Sequence, residues 1–128
     1  MQSTSREERD IPSWRTARCA RRLNKAYDAA HAADPDATKI WLTEMGWSTC
    51  GVVSDPSHAC FSDTRQAEYL SAAYNALDTQ YPYVETAVWA FFRDPRVASD
   101  WDSDLGVLGR DFQQEPAYEA MRAYGTVR

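Results

Sequence analysis

The sequence predicts an α/β fold in the order helix, strand, helix, strand, helix, with the two strands parallel. Ile40–Met45 and Thr86–Phe92 are short runs rich in bulky apolar and β-branched residues, each bounded by turn chemistry, which is the signature of buried strands. Between them Leu70, Ala73, Tyr74 and Leu77 recur at helical spacing without a miss. Two strands separated by a helix and a connection of this length can pair in parallel through a right-handed crossover.

Each element can be justified in turn. Residues 1–13 are polar and charged and are expected to be frayed, leaving 14–128 as the folded portion. From Trp14 to about Ala33, Ala20, Leu23, Tyr27 and Ala30 form one stripe, while Arg18, Arg21, Arg22 and Lys25 fall largely elsewhere. This is an amphipathic helix, stopped by Asp34-Pro35-Asp36. Its arginines read as a solvated face. In the first strand, period-two alternation puts Ile40, Leu42 and Glu44 on one face and Trp41 and Thr43 on the other. Glu44 therefore ends an otherwise apolar face. A carboxylate there costs free energy unless it is paired or solvated, so its position at the strand end, where a cleft can open, points to chemistry.

The loop from Cys50 to Phe61 follows. Cys50 and Cys60 bracket it and read as a disulfide, worth roughly 3 kcal/mol by loop entropy before strain; two reduced thiols are the alternative, and Cys19 is left over. Cys50, His58 and Cys60 do not match a zinc spacing, and no metal or other cofactor is expected. Ser62 or Asp63 can cap the next helix, with Asp63 to Gln66 approximating a capping box. Tyr81-Pro82-Tyr83 ends that helix and Arg93-Asp94-Pro95 ends the second strand. Arg93 to Asp104 is then expected to be an acidic loop carrying Trp101. Its Asp100, Asp102 and Asp104 alternate as in a calcium loop, but the glycine comes late, at Gly106, and Asp111 stands where a glutamate is wanted. Pro116 suits a first helical turn, with Ala117, Ala120, Met121 and Tyr124 in one stripe ahead of Gly125.

Thr43-Glu44-Met45-Gly46-Trp47-Ser48-Thr49 resembles the Thr-Glu-(Phe or Met)-Gly-Trp-Ser-Thr segment on the seventh strand of clan A glycoside hydrolases, the retaining cellulase-like and xylosidase-like (β/α)8 barrels. Gln66-Ala67-Glu68-Tyr69-Leu70 is similar to the helix that follows that strand. Val88-Trp89-Ala90-Phe91-Phe92-Arg93-Asp94 is similar to the eighth strand. Leu105-Gly106-Val107-Leu108 and Pro116-Ala117-Tyr118-Glu119-Ala120 resemble the closing segments, with Glu115 where a lysine is usual. Because Glu115 precedes a helix, that departure is expected to change surface charge. The resemblance covers nearly everything from Leu23 onward. It implies a partial TIM barrel, the last two β/α units, with Glu44 as catalytic nucleophile and Trp47 and Trp89 as sugar-binding aromatics. The inward parity of the eighth strand stays open between Trp89 with Phe91 and Ala90 with Phe92.

Retaining hydrolysis needs two carboxyl groups about 5 Å apart. The family's acid/base glutamate follows an asparagine, whereas Asn24 and Asn75 here precede Lys25 and Ala76. A whole barrel takes about 250 residues, and this chain has 128. The expectation is a glycosidase fragment, inactive by itself, acting on β-linked polysaccharide or oligosaccharide once completed. The competing class is a non-catalytic carbohydrate-binding fragment or decayed barrel, in which Trp47, Trp89 and Trp101 hold sugar and Glu44 only hydrogen-bonds it. A net charge of −5 argues against nucleic acid. No apolar run suits a membrane span or signal peptide, although the family is usually extracellular. Two strands alone leave edges unpaired, so a missing barrel half or self-association is expected to cover them.

Overall fold

The computed structural model describes residues 18–36, 39–51, 60–97 and 100–126. The expected frayed segment 1–13, the helix start at Trp14 and His58 lie outside these. The chain divides into two compact units, Met1–Lys39 and Ile40–Arg128.

In the first unit, α1 (Arg18–Ala33) ends where Asp34 N–H donates to the Ala30 carbonyl at 2.9 Å and the Asp34 carboxylate turns back to accept from Asp36 N–H at 3.0 Å. The Asp34-Pro35 stop works as the sequence implies. Asp34 satisfies the turn, and Pro35 keeps it from continuing as helix.

The second unit contains β1 (Ile40–Met45), α2 (Asp63–Gln80), β2 (Val84–Trp89) and α3 (Pro116–Thr126), with a 3-10 turn over Trp101–Asp104. The strands pair in parallel, Ile40 opposite Val84 and Met45 opposite Trp89, with α2 as the crossover. This mixed α/β unit is compatible with a piece of a TIM barrel. Leu70, Trp89, Val107 and Ala117 form its core, with Met45, Trp47, Ala67 and Tyr118 packed around them. The helices α2 and α3 meet through Tyr74 and Tyr124, whose rings lie 5.1 Å apart, and the Tyr124 hydroxyl donates to Asp78 at 2.8 Å.

Three details depart from expectation. The strand β2 begins earlier and ends earlier than Thr86–Phe92. The Tyr81–Tyr83 turn closes tightly, Val84 N–H to Tyr81 carbonyl at 2.9 Å, so pairing starts at once. At the other end Ala90 N–H donates to Met45, the last residue of β1. Beyond the cis Ala90–Phe91 peptide the chain turns to Leu108, which donates to Phe92 and accepts from Asp94. Second, the capping box at α2 does not form. Ser62 caps the helix, its Oγ accepting from Arg65 N–H at 3.2 Å, while the Gln66 side chain is drawn away to another partner. Third, β1 is not a buried strand: Trp41 is 65% exposed and Glu44 and Thr43 are exposed. Among the described residues β1 has one neighbouring strand, so its other edge carries no strand there.

Candidate active site

Both strands run toward one end of the sheet, and β1 delivers Glu44 there, one residue before its last. Glu44 is exposed, and among the described residues its carboxylate makes no hydrogen bond or ion pair. Gly46 follows against the end of β2. A Cβ on it would stand 2.8 Å from the Ala90 carbonyl oxygen and 3.2 Å from Leu105, so this position tolerates no side chain. The close approach turns the chain over the sheet end and starts the loop that carries Trp47.

Trp47, Ser48, Thr49 and Cys50 are each pinned. The Trp47 carbonyl accepts from Gln66 Nε2 at 2.8 Å; Gln66 is fully buried, and its own Oε1 has no partner among the described residues. The buried Ser48 accepts at its carbonyl from Phe61 N–H, 3.1 Å, and at Oγ from Cys50 N–H, 3.0 Å. Thr49 N–H donates to the Asp104 carbonyl at 3.0 Å. Cys50 and Cys60 are joined as a disulfide with Cα atoms 5.4 Å apart, closing the loop between its two arms.

The two tryptophans named from the sequence come together. The half-buried Trp47 ring lies 5.7 Å from Trp89 and 5.4 Å from Tyr69, and Phe61 meets Tyr69 edge-on at 5.0 Å. Trp89 is 7% exposed, and its indole N–H donates to the Leu105 carbonyl at 2.8 Å, so it underlies Trp47 from within the core. Phe91 and Phe92 are both exposed, so past Trp89 neither parity class is uniformly buried. The Trp101 side chain lies outside the described residues.

A buried ionic group braces this end of the fold, and sequence reasoning missed it. Asp94 accepts from Gly106 N–H at 2.7 Å, and Arg110 reaches Asp104 at 2.7 Å and Asp94 at 3.8 Å. Gly106 is required here, since a Cβ would lie 2.6 Å from Asp94 N. Burial raises the Asp94 carboxyl above the ordinary range, opposed by the Gly106 N–H and helped by Asp104. Glu115 is pushed up to about 7, first by burial and then by Asp94, Asp63 and Asp104, with Arg110 opposing. The glutamate that replaces the usual lysine is thus half-buried beside carboxylates, and its effect is not one of surface charge. These partners are far apart in sequence, and no periodicity relates them. The one available signal was the departure from lysine itself. Asp104 goes to Arg110, and among the described residues no three acidic, histidine or cysteine side chains gather as a metal site.

No protein-family model matches the chain, and no curated protein matches it. Solved structures do match. A β-glucuronidase of Bifidobacterium dentium complexed with coumarin-3-O-glucuronide is 20% identical over 77% of this chain, with a TM-score of 0.54. The β-glucuronidase of Ruminococcus gnavus is 21% identical over 70%, TM-score 0.55, and the same enzyme with D-glucuronic acid is 22% identical over 67%, TM-score 0.53. The chain shares its fold with a segment of these structures. It spans only 18% of the first of these and 16% of the other two. No helix among the described residues is long and apolar enough to cross a membrane.

Proposed function

We propose that this chain is the closing segment of a retaining glycoside hydrolase barrel and that it carries the nucleophile, Glu44. The observation that supports this most is the placement of Glu44. An exposed carboxylate with no partner in the described residues stands at the sheet end where barrel enzymes hold their chemistry. Its fold likeness to β-glucuronidases and the Thr43–Thr49 segment argue for the same reading. In this account Glu44 attacks the anomeric carbon of a β-linked glycoside. A second carboxyl group, supplied by the rest of the barrel, protonates the leaving oxygen and then activates water. Trp47 offers its ring to the apolar face of the sugar and Trp89 supports it from below. The Gly46 turn and the Gln66 clamp hold the loop, so little conformational freedom is lost on binding. Cellulase-like, xylosidase-like and glucuronide-cleaving activities all fit this segment. The remaining strands would cover Trp41 and Val88, which are 65% and 48% exposed, and secretion suits the Cys50–Cys60 bridge.

The test is turnover by the purified chain. Without an acid, it is expected to leave unactivated β-linked disaccharides intact and to react at most once with aryl glycosides whose leaving group needs no proton. Steady hydrolysis of a disaccharide, abolished by Glu44→Gln, would show that this chain holds its own acid and would overturn the split of roles.

A further inference from the structure

Beyond Glu44 and the tryptophans, three exposed phenylalanines lie on two segments that the backbone joins. Of the six large apolar side chains that stand exposed among the described residues, Phe91, Phe92 and Phe112 come from two segments tied together by the Arg93–Leu108 bridge and the Leu108 N–H to Phe92 carbonyl bond of 3.0 Å. The first segment starts two residues after Trp89, at the same sheet end as Glu44. Phe112 sits in the tight turn where Gly109 N–H donates to the Gln113 carbonyl and Phe112 N–H donates to the Gly109 carbonyl, both at 2.9 Å. Its φ is 63°, the left-handed region that a bulky residue adopts at a cost, and its ring is 65% exposed. The fold thus holds a strained turn that presents an aromatic ring to solvent.

Arg93 completes the arrangement. Its guanidinium carbon lies 4.4 Å from the Phe112 ring centroid. Arg65, Arg110 and Arg122 each pair with a carboxylate, whereas Arg93, among the described residues, makes no hydrogen bond or ion pair. Held over the ring, the guanidinium keeps N–H donors that can engage both oxygens of a carboxylate. A flat apolar ring beside an oriented, uncommitted guanidinium matches a sugar with one C–H face and one carboxylate. We infer that Phe92, Arg93 and Phe112 form a binding platform for a carboxylated sugar, a hexuronate unit of an acidic glycan. The net charge of −5 repels anions at long range, so recognition rests on this local pairing. The inference concerns binding alone and does not depend on Glu44 being a nucleophile.

The test compares two tetramers that differ only at C6, cellotetraose and its fully carboxylated counterpart, by calorimetric or NMR titration of the intact chain. The carboxylated tetramer is expected to bind about ten-fold tighter or more, the value of a charge-assisted hydrogen-bond pair. Arg93→Gln should erase that preference while leaving cellotetraose unchanged. Phe112→Gly, which suits the turn's φ, should weaken both ligands. Arg122→Gln, which removes a guanidinium already paired with Glu119, should alter neither. Equal affinities, a preference that survives Arg93→Gln, or no binding by a chain that gives a folded spectrum overturns the platform. So does loss of self-association in Phe112→Gly without change in binding, which would make the patch a protein interface. Success here with no covalent chemistry at Glu44, or the reverse, separates the two readings.

Discussion

Replacing Glu115 with glutamine should stabilise the protein only where that carboxyl would otherwise be charged. Glu115 is half-buried and is flanked by Asp94, Asp63 and Asp104, with Arg110 the single cation that opposes them. Burial and these neighbours raise its carboxyl from 4.5 to about 7 in the fold. The unfolded chain releases the proton first, so folding is favoured below pH 4.5 and loses ground as pH rises through 7. Linkage alone would set that loss at about 3 kcal/mol above pH 7. Glu115 is only half-buried, and solvent screening reduces the expected loss to about 1–1.5 kcal/mol. Glu115→Gln should therefore raise the urea midpoint at pH 8, leave it unchanged at pH 4, and keep the slope of the transition. Glu115→Lys should gain at least as much at pH 8, since it adds the charge that the acidic group lacks. A glutamine variant equally stabilised at pH 4 and pH 8, or not stabilised at pH 8, would refute the electrostatic account of this corner.

Other expectations follow from the packing. Gly46→Ala forces a Cβ to 2.8 Å from the Ala90 carbonyl, so the sheet end must separate; chemical denaturation should show a loss of about 2–3 kcal/mol. Arg110→Ala leaves the buried Asp94 and Asp104 uncompensated and should cost about 3–5 kcal/mol at pH 7, with part recovered as pH falls and the raised Asp94 carboxyl takes up its proton. Reducing Cys50–Cys60 should lower stability by about 2–3 kcal/mol and expose the Trp47 loop to proteolysis, while the Cys50→Ala, Cys60→Ala variant should show the same stability with or without reductant.

The sequence was most informative where structure is local. The limits of β1 follow from Lys39 on one side and Gly46 on the other. The four apolar positions of α2 lie on one stripe, and Ser62 caps it as its chemistry implies. The Cys50–Cys60 pair bridges a loop short enough to read from spacing. What the sequence did not disclose depends on contacts between distant residues. The end of β2 is set by where β1 stops and by Leu108, nineteen residues beyond Trp89. Gln66 belongs to a helix pattern in sequence but is spent on the Trp47 carbonyl, which no periodicity encodes. Glu115 looked like a surface residue because it precedes a helix, and only the fold shows the three carboxylates around it. The exposure of Trp41 follows from the lack of further strands among the described residues and not from the strand's own pattern. An apolar strand pattern predicts a buried face, and whether another chain segment covers it is a property of the assembly.

The central claim is that Glu44 is a glycosidase nucleophile, and covalent trapping tests it most directly. The purified chain would be incubated with 2,4-dinitrophenyl 2-deoxy-2-fluoro-β-glycosides of glucose and of glucuronic acid, whose leaving group departs without a proton, and its peptides read by mass spectrometry. The account predicts one fluoroglycosyl adduct, on Glu44, absent from Glu44→Gln and unaffected by Arg93→Gln for the neutral sugar. A folded chain that acquires no adduct, or carries it on another carboxylate, contradicts that claim.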